Sequence, residues 1–338
     1  MKPKKNIKLK ISYIVPFYNG QDSILNSLNS IYDIGLPEEE FEVIVVDDRS
    51  PISAESAIED FVSQHNNIRV VRHNVNKRQG GAKNTGIRLA KGQYIAFADQ
   101  DDTILADNAN QALVFALKND VDMLACQYDI LKEDGQVRHD GISKGDGLIV
   151  TGKEFCENYF MTGYNLAPWA NLYKREFLLR INHPYEENVV MEDSDWIAWH
   201  WIHAERVGIF NKPIYTWIMN PSSITHSMHY INRADWVKYG YRKVRDAEIY
   251  RPLSSIFADT MTMDGKNNII GGMKKMWKVD NYYKFYRHLD PILPDLQKIK
   301  WKGITRVLIS NSTISLIFMY PMGSLLKLVN YARYKFKS

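Results

Sequence analysis

Apolar residues gather in four short runs before Asp102: Ile11 to Val15, Phe41 to Val46, Ile68 to Val71 and Tyr94 to Ala98. The runs are rich in Val and Ile and do not alternate with polar residues, which predicts strands covered on both faces of a parallel sheet. Between the first two, Ile24, Leu25, Leu28 and Ile31 recur at helical spacing. Between the next two, Ile58, Phe61 and Val62 do so, and Gly81 to Ala90 supplies a helix before the fourth run. Strand and helix in alternation make βαβ units with right-handed crossovers, so residues 1–102 read as α/β. Residues 103–229 read as mixed, with a helix over Ile104 to Leu117, a strand over Val121 to Tyr128 and a polar loop over Glu133 to Gly147. Helices near Gly152 to Phe160, Lys174 to Arg180 and Ser194 to Arg206 follow, then a strand over Gly208 to Trp217. Residues 230–338 read as helical, with many aromatic and basic side chains.

Composition changes this picture little. With 338 residues, 45% apolar and 24% charged, the chain holds material for one large or two modest cores. A net charge of +4 without a concentrated basic stripe argues against nucleic acid as a partner. Cys126 and Cys156 stand far apart, match no zinc spacing and are expected to be buried, reduced thiols. No apolar run of signal-peptide length precedes Pro16, so a cytoplasmic protein is expected. Val307 to Leu326 is a run of twenty residues without a charge, between Arg306 and Lys327. It has the length to span a bilayer, but its serines, Asn311, Thr313 and Pro321 weaken its transfer. A basic-flanked hairpin lying on anionic lipid fits it equally well.

Ligands of an open α/β sheet bind beyond the carboxyl ends of its strands, so those ends are where chemistry is sought. The first strand runs into Pro16-Phe17-Tyr18-Asn19, the second into Asp47-Asp48-Arg49-Ser50 and the fourth into Asp99-Gln100-Asp101-Asp102. Five acids and an aromatic thereby converge on one edge. Asp99 and Asp101, two apart directly after a strand, can both turn toward one ligand, and such a hard oxygen pair suits Mg²⁺ or Mn²⁺ bridged by a diphosphate. Asp102 also stands where it can cap the following helix. Asp47 and Asp48 are left to accept from a base N–H or ribose hydroxyls, or simply to start a turn. Tyr18 serves either against a base or in packing.

These segments, with Ile14-Val15 ahead of Pro16, Val45-Val46 ahead of Asp47 and Ala82-Lys83-Asn84-Thr85-Gly86 between the second and the last, resemble in order and spacing the family 2 glycosyltransferases of the GT-A fold. The resemblance implies an α/β, Rossmann-like nucleotide-binding sheet, a mixed acceptor-binding half over residues 103–229 and a helical C-terminal region. It implies a nucleotide-sugar donor, most commonly of uridine, a Mn²⁺ or Mg²⁺ cofactor, and donor contacts at Pro16, Tyr18, Asp47, Asp48, Lys83, Asn84 and Asp99. Met191-Glu192-Asp193-Ser194-Asp195-Trp196 is similar to the family's acidic pair ahead of a helix, which assigns Asp193 as general base and Glu192 to the acceptor side. Ser222 to Ser227 resembles a segment that closes over the donor, bringing His226 to the diphosphate or to the metal beside Asp99 and Asp101. Trp169 is the candidate for stacking on an acceptor sugar, with Tyr164 or Asn171 hydrogen-bonding it, whereas Trp196, Trp199 and Trp201 are expected to be mostly core.

Two residues depart from the family pattern. Lys83 stands where relatives often carry Arg, and Arg49 replaces a usual Gly; both put positive charge near the expected diphosphate. The Gln-x-x-Arg-Trp motif of processive synthases is absent, which favours addition of one sugar. The implied reaction is an inverting displacement in which Asp193 takes the proton of the acceptor hydroxyl. The expected acceptor is a glycan or lipid-linked glycan in polysaccharide, capsule or lipopolysaccharide assembly, met by an enzyme bound peripherally to the inner face of the plasma membrane. A nucleotidyltransferase would open with a glycine-rich phosphate loop after the first strand, and a dehydrogenase with Gly-x-Gly-x-x-Gly; the sequence there has neither. A non-catalytic relative that holds glycans or partner subunits, and a sugar-nucleotide nucleotidyltransferase, are the alternatives kept. Oligomeric state is not legible in the sequence.

Overall fold

The computed structural model describes residues 9–160, 167–220, 229–274 and 279–299. The chain forms two compact units, Met1–Asn220 and Pro221–Ser338. The first opens with the expected alternation: β1 Ile11–Phe17, α1 Ile24–Tyr32, β2 Phe41–Asp47, the short helices α2 Ala54–Ala57 and α3 Glu59–Gln64, β3 Ile68–Arg72, α4 Arg78–Leu89 and β4 Tyr94–Phe97. These four strands lie parallel in the order β3-β2-β1-β4. β1 and β2 are buried along their whole length, as apolar runs without alternation require. β3 departs from that expectation: it is the edge strand, and its valines are only half-buried. α1 buries Ile24, Leu28 and Ile31 on one stripe while Leu25 faces outward.

Beyond β4 the sheet changes sense. β5 Thr103–Ile104 and α5 Ala106–Asn119 lead to β6 Met123–Leu131, β7 Val137–Gly141, β8 Ile149–Val150, α6 Gly152–Asn158, β9 Asn171–Lys174, α7 Arg175–Ile181, α8 Asp193–His203 and β10 Val207–Ile218. β9 inserts antiparallel between β4 and β6, β10 runs parallel to β6, and β5 and β8 pair antiparallel with β10. β7 lies inside the stretch read as a loop: it folds back on β6 as an exposed, polar hairpin strand that no apolar pattern announces. The β10–β6 ladder is irregular on both sides of Pro213, which has no N–H to offer. Within the second of these irregular stretches Tyr215 is fully buried and reaches the turn after β4.

Two packing arrangements position the site. Phe97, at the end of β4, lies edge-on to Tyr173, Tyr185 and Trp196 at centroid distances of 5.6, 5.9 and 5.8 Å. Tyr185 stacks on Trp196 at 4.2 Å. Each such aromatic contact adds about 0.5–1.5 kcal/mol beyond its buried area, so α8 and the segment before it are tied firmly to the parallel sheet. α4 reverses the usual helix pattern, burying Lys83, Asn84 and Thr85 together with its glycines. A Cβ on Gly86 would stand 2.2 Å from Ile14 Cγ2, and one on Gly80 would stand 2.5 Å from the Glu186 carbonyl oxygen. Only glycine lets this helix lie so close to β1 on one side and to residues 185–192 on the other.

The second unit contains α9 Tyr230–Tyr250, α10 Ser255–Lys274, α11 Tyr282–Leu289 and α12 Leu293–Lys298. Its core includes Val237, Ile269, Met273, Phe285 and Leu289, and Lys243 is buried in an ion pair with Asp264. Among the described residues no helix is long and apolar enough to cross a membrane. The uncharged run at 307–326 lies outside the described residues. Cys126 and Cys156 are buried and free, as expected.

Candidate active site

The carboxyl ends of β1, β2 and β4 meet at one edge, joined by the Asp48 N–H donating to the Phe17 carbonyl at 2.8 Å and the Ala98 N–H to the Ile14 carbonyl at 3.0 Å. Asp47 is fully buried and builds the turn that follows it: its carboxylate accepts from the Ser50 and Ala54 N–H groups at 2.8 and 3.1 Å and lies 3.4 Å from Arg72. Asp48 Oδ1 accepts from His73 Nδ1 and from the Lys77 N–H, both at 2.8 Å. A carboxylate only accepts, so His73 carries a proton on Nδ1, and its Nε2 lies 2.9 Å from the Thr85 hydroxyl. Arg88 donates to the same Thr85 oxygen at 2.8 Å. Asp48 Oδ2 has no partner among the described residues. Beside it Tyr18 is 52% exposed, its backbone clamped by Gln100 through bonds of 2.9 and 3.0 Å. Pro16 is buried in β1 beyond the last residue paired with β4, where no N–H is required.

In the turn after β4 the acids have separate duties. Asp102 does not cap α5, which starts after Leu105 without a side-chain bond. It is instead buried, accepting from the Ile218 N–H at 2.8 Å and the Tyr215 hydroxyl at 2.9 Å, because β10 passes alongside. The Tyr215 oxygen in turn accepts from the Asp99 N–H at 2.9 Å. Asp99 Oδ1 accepts from Gln79 Nε2 at 2.7 Å. Burial raises the Asp99 carboxyl to about 6, Lys83 opposing this and Asp101 adding to it. Asp101 itself is exposed. No group of three His, Cys, Asp or Glu among the described residues is arranged to hold a metal ion. Asp99 and Asp101 thus offer two hard oxygens, a donor set that fits Mg²⁺ or Mn²⁺ only where water and a bound diphosphate complete the shell. His226 lies outside the described residues.

The third group faces the edge from α8. Glu192 is buried just ahead of the helix, and the Asp193 side chain is 29% exposed at its first residue. Lys83 has no exposed side-chain surface and reaches across from α4, 3.1 Å from Glu192 Oε1 and 2.5 Å from Asp193 Oδ1. Burial and then the Glu192 charge push the Asp193 carboxyl up to about 8, with Lys83 pulling the other way. Burial works to lower the Lys83 ammonium, but Asp193, Glu192 and Asp99 outweigh it and hold the group well above its usual range. Asn84 clamps the same segment, donating to the Tyr185 carbonyl and accepting from its N–H, both at 2.9 Å. Both α4 side chains are therefore spent on residues 185–193.

Residues 12–175 match the family model described as Glycosyl transferase family 2. That match takes in just under half of the chain, which over this stretch is similar to glycosyltransferase family 2. The uncharacterized glycosyltransferase EpsJ of Bacillus subtilis is 28% identical over 218 residues, which are 64% of this chain and 62% of that protein. The chain thus spans less than two thirds of that relative's length. The crystal structure of S. aureus TarS 1–349 in complex with UDP-GlcNAc superposes with a TM-score of 0.70 at 21% identity, covering 86% of this chain and 82% of that one. The mannosyltransferase PcManGT from Pyrobaculum calidifontis, in complex with GDP-Man and Mn²⁺, gives 0.54 at 17% identity over 92% and 81%. At such identities the likeness speaks to fold, an α/β sheet of the GT-A type.

Of the residues expected to meet an acceptor, Trp169 is half-buried, stacked on Tyr215 at 4.5 Å and edge-on to Tyr128 at 4.7 Å. Asn171 is fully buried and donates to the Ala167 carbonyl at 2.7 Å, while its own carbonyl oxygen has no partner among the described residues. Tyr164 lies outside the described residues. Trp196 and Trp201 are core, as expected, and Trp199 is partly covered against His183. Sequence reasoning passed over His73, although it directly follows the third strand and the rule applied to the other three strand ends would have found it. Gln79 also carried a signal, one helical turn before Lys83. Tyr215 carried none.

Proposed function

We propose that this protein transfers one sugar from a nucleoside diphosphate sugar to an acceptor hydroxyl with inversion, and that Asp193 is the general base. The observation that carries this reading is Asp193 itself: a partly exposed carboxyl at the first turn of α8, anchored by Lys83 and raised in basicity. A carboxylate of that strength suits acceptance of a proton from a hydroxyl as it attacks, help worth about 10²–10⁴ in rate. The acceptor O–H bond breaks toward Asp193 as the oxygen bonds to the anomeric carbon, and the diphosphate leaves with the electron pair.

Asp48 Oδ2, without a partner among the described residues, supports a base that presents an N–H edge, and likeness to a fold seen with UDP-GlcNAc favours uracil. Tyr18 would lie against that base, with Pro16 and Asp47 shaping the wall behind it. Asp99 and Asp101 would hold Mn²⁺ or Mg²⁺, joined by His226, and a cation held there would supply positive charge to offset that of the departing diphosphate. Trp169 would offer its face to the acceptor sugar, and Glu192 would act on that side through the ammonium it shares with Asp193. Residues 301–338 contain Lys302, Arg306, Lys327, Arg333, Lys335 and Lys337 and no acid. That charge supports peripheral contact with the anionic inner face of the plasma membrane and a lipid-linked glycan acceptor.

Calorimetric titration with UDP, GDP and CDP, with and without Mn²⁺, tests the donor site. UDP should bind at least about tenfold more tightly with Mn²⁺, since Asp99 and Asp101 repel a diphosphate until a cation joins them. A folded protein that binds no nucleotide would sink the reading.

A further inference from the structure

Gln79 and Lys83 stand one turn apart on α4 and address different acids. The neutral amide of Gln79 donates to Asp99, on the strand-end side, while the charged group goes to Glu192 and Asp193. Lys83 also lies over the Tyr185 ring, 5.1 Å from its centroid. An ammonium has three donors, and here two carboxylates and a ring face enclose it with no side-chain surface left open. A lysine serving as a diphosphate ligand needs an open donor. Turning Lys83 toward the strand ends would strand two carboxylates beside each other, one of them buried, a strongly unfavourable exchange.

We propose that Lys83 is a positioning residue for Asp193 and not a ligand of the donor diphosphate. The inference rests on Asp193 being the general base. Lys83 fixes one oxygen of that carboxylate, so the other is presented outward in a single rotamer at the start of α8. Glu192 completes the device. Before transfer the trio of Lys83, Glu192 and Asp193 carries one net negative charge. Once Asp193 has taken the acceptor's proton, Lys83 and Glu192 remain as a neutral buried pair, so no uncompensated charge is left inside. The segment is held for this by the Asn84 clamp on Tyr185 and by Tyr185 stacked on Trp196.

The test is a double-mutant cycle with a binding control. Lys83→Met should lower kcat at least about thirtyfold, within the range of general-base help, while Mn²⁺-dependent UDP affinity by calorimetry stays within about twofold. Lys83→Arg should recover most of kcat. In the Asp193→Asn background, with product followed by radiolabelled transfer over hours, Lys83→Met should cost less than about threefold more, because residues acting as one unit are not additive. A tenfold loss of UDP affinity, or losses that multiply across the cycle, overturns the proposal. Should Lys83→Met not fold, Lys83→Gln, which keeps a donor to the carboxylates, carries the same comparison. Normal turnover by Asp193→Asn alone would instead remove the base assignment.

Discussion

The turn after β4 and the segment leading into α8 both gather carboxylates, but only one of them brings its own cation. Glu192 and Asp193 close on the buried ammonium of Lys83. Asp99, Asp101 and Asp102 form no ion pair with any lysine or arginine among the described residues; their partners there are an amide, a hydroxyl and backbone N–H groups. Hydrogen bonds orient a carboxylate without cancelling its charge. The α8 cluster is therefore complete as it stands and suited to moving a proton, whereas the strand-end turn is left negative and suited to an arriving cation with its phosphates. On the proposed reading, two acid-rich stretches that look alike in sequence serve opposite tasks.

The sharpest way to break that contrast is to neutralise one acid in each. Asp193→Asn should lower kcat by about 10³ while Mn²⁺-dependent UDP affinity is kept, since only the proton acceptor is lost. Near-normal turnover would end the distinction. The pH profile sharpens it without mutation. Only ionised Asp193 accepts a proton, and its carboxyl is raised to about 8, so activity is present above that pH and lost as pH falls through it. kcat/KM, which reports the free enzyme, should thus rise about fiftyfold from pH 6 to pH 8, and more steeply still below the Asp99 value of about 6. A profile flat from pH 5.5 to 9 would contradict the raised base. Asp101→Ala should do the reverse of Asp193→Asn, weakening UDP binding about tenfold in Mn²⁺ and hardly at all in its absence. Equal loss in both conditions would show that the turn does not work through a cation.

Much of this contrast was open to reading from residue order, and its limits have physical causes. β1, β2 and β4 announce themselves because burial on both faces demands unbroken apolar runs, and the acids beyond them follow from where such sheets bind ligands. β5 and β8 are two residues each and β9 is four, too short for any period to register, yet β9 is what turns the sheet antiparallel. The link from Lys83 to Asp193 joins residues 110 apart in the chain, so nothing local marks it. Charge near a diphosphate was the natural expectation for Lys83, and burial directs its ammonium to α8. The division of labour within Asp99 to Asp102 was hidden for a related reason. Which acid is tied down depends on Tyr215, which arrives from β10 across an irregular ladder.

That tyrosine supplies the smallest of the expected effects and the finest test of how the two regions differ. In Tyr215→Phe the ring still stacks on Trp169, but Asp102 loses a donor and the Asp99 N–H loses its acceptor. Leaving buried groups unpaired costs about 1–3 kcal/mol, which for a unit of this size lowers the melting temperature by roughly 2–4 °C per kcal/mol. The ion-paired α8 cluster does not touch this hydroxyl, so its share of the pH profile should not move. Mn²⁺ affinity should weaken about two- to fivefold, because the turn is loosened but keeps Asp99 and Asp101. A shift of the rise near pH 8 in Tyr215→Phe would mean that the turn and the α8 cluster titrate as one site, and that the charge Lys83 supplies is shared between them.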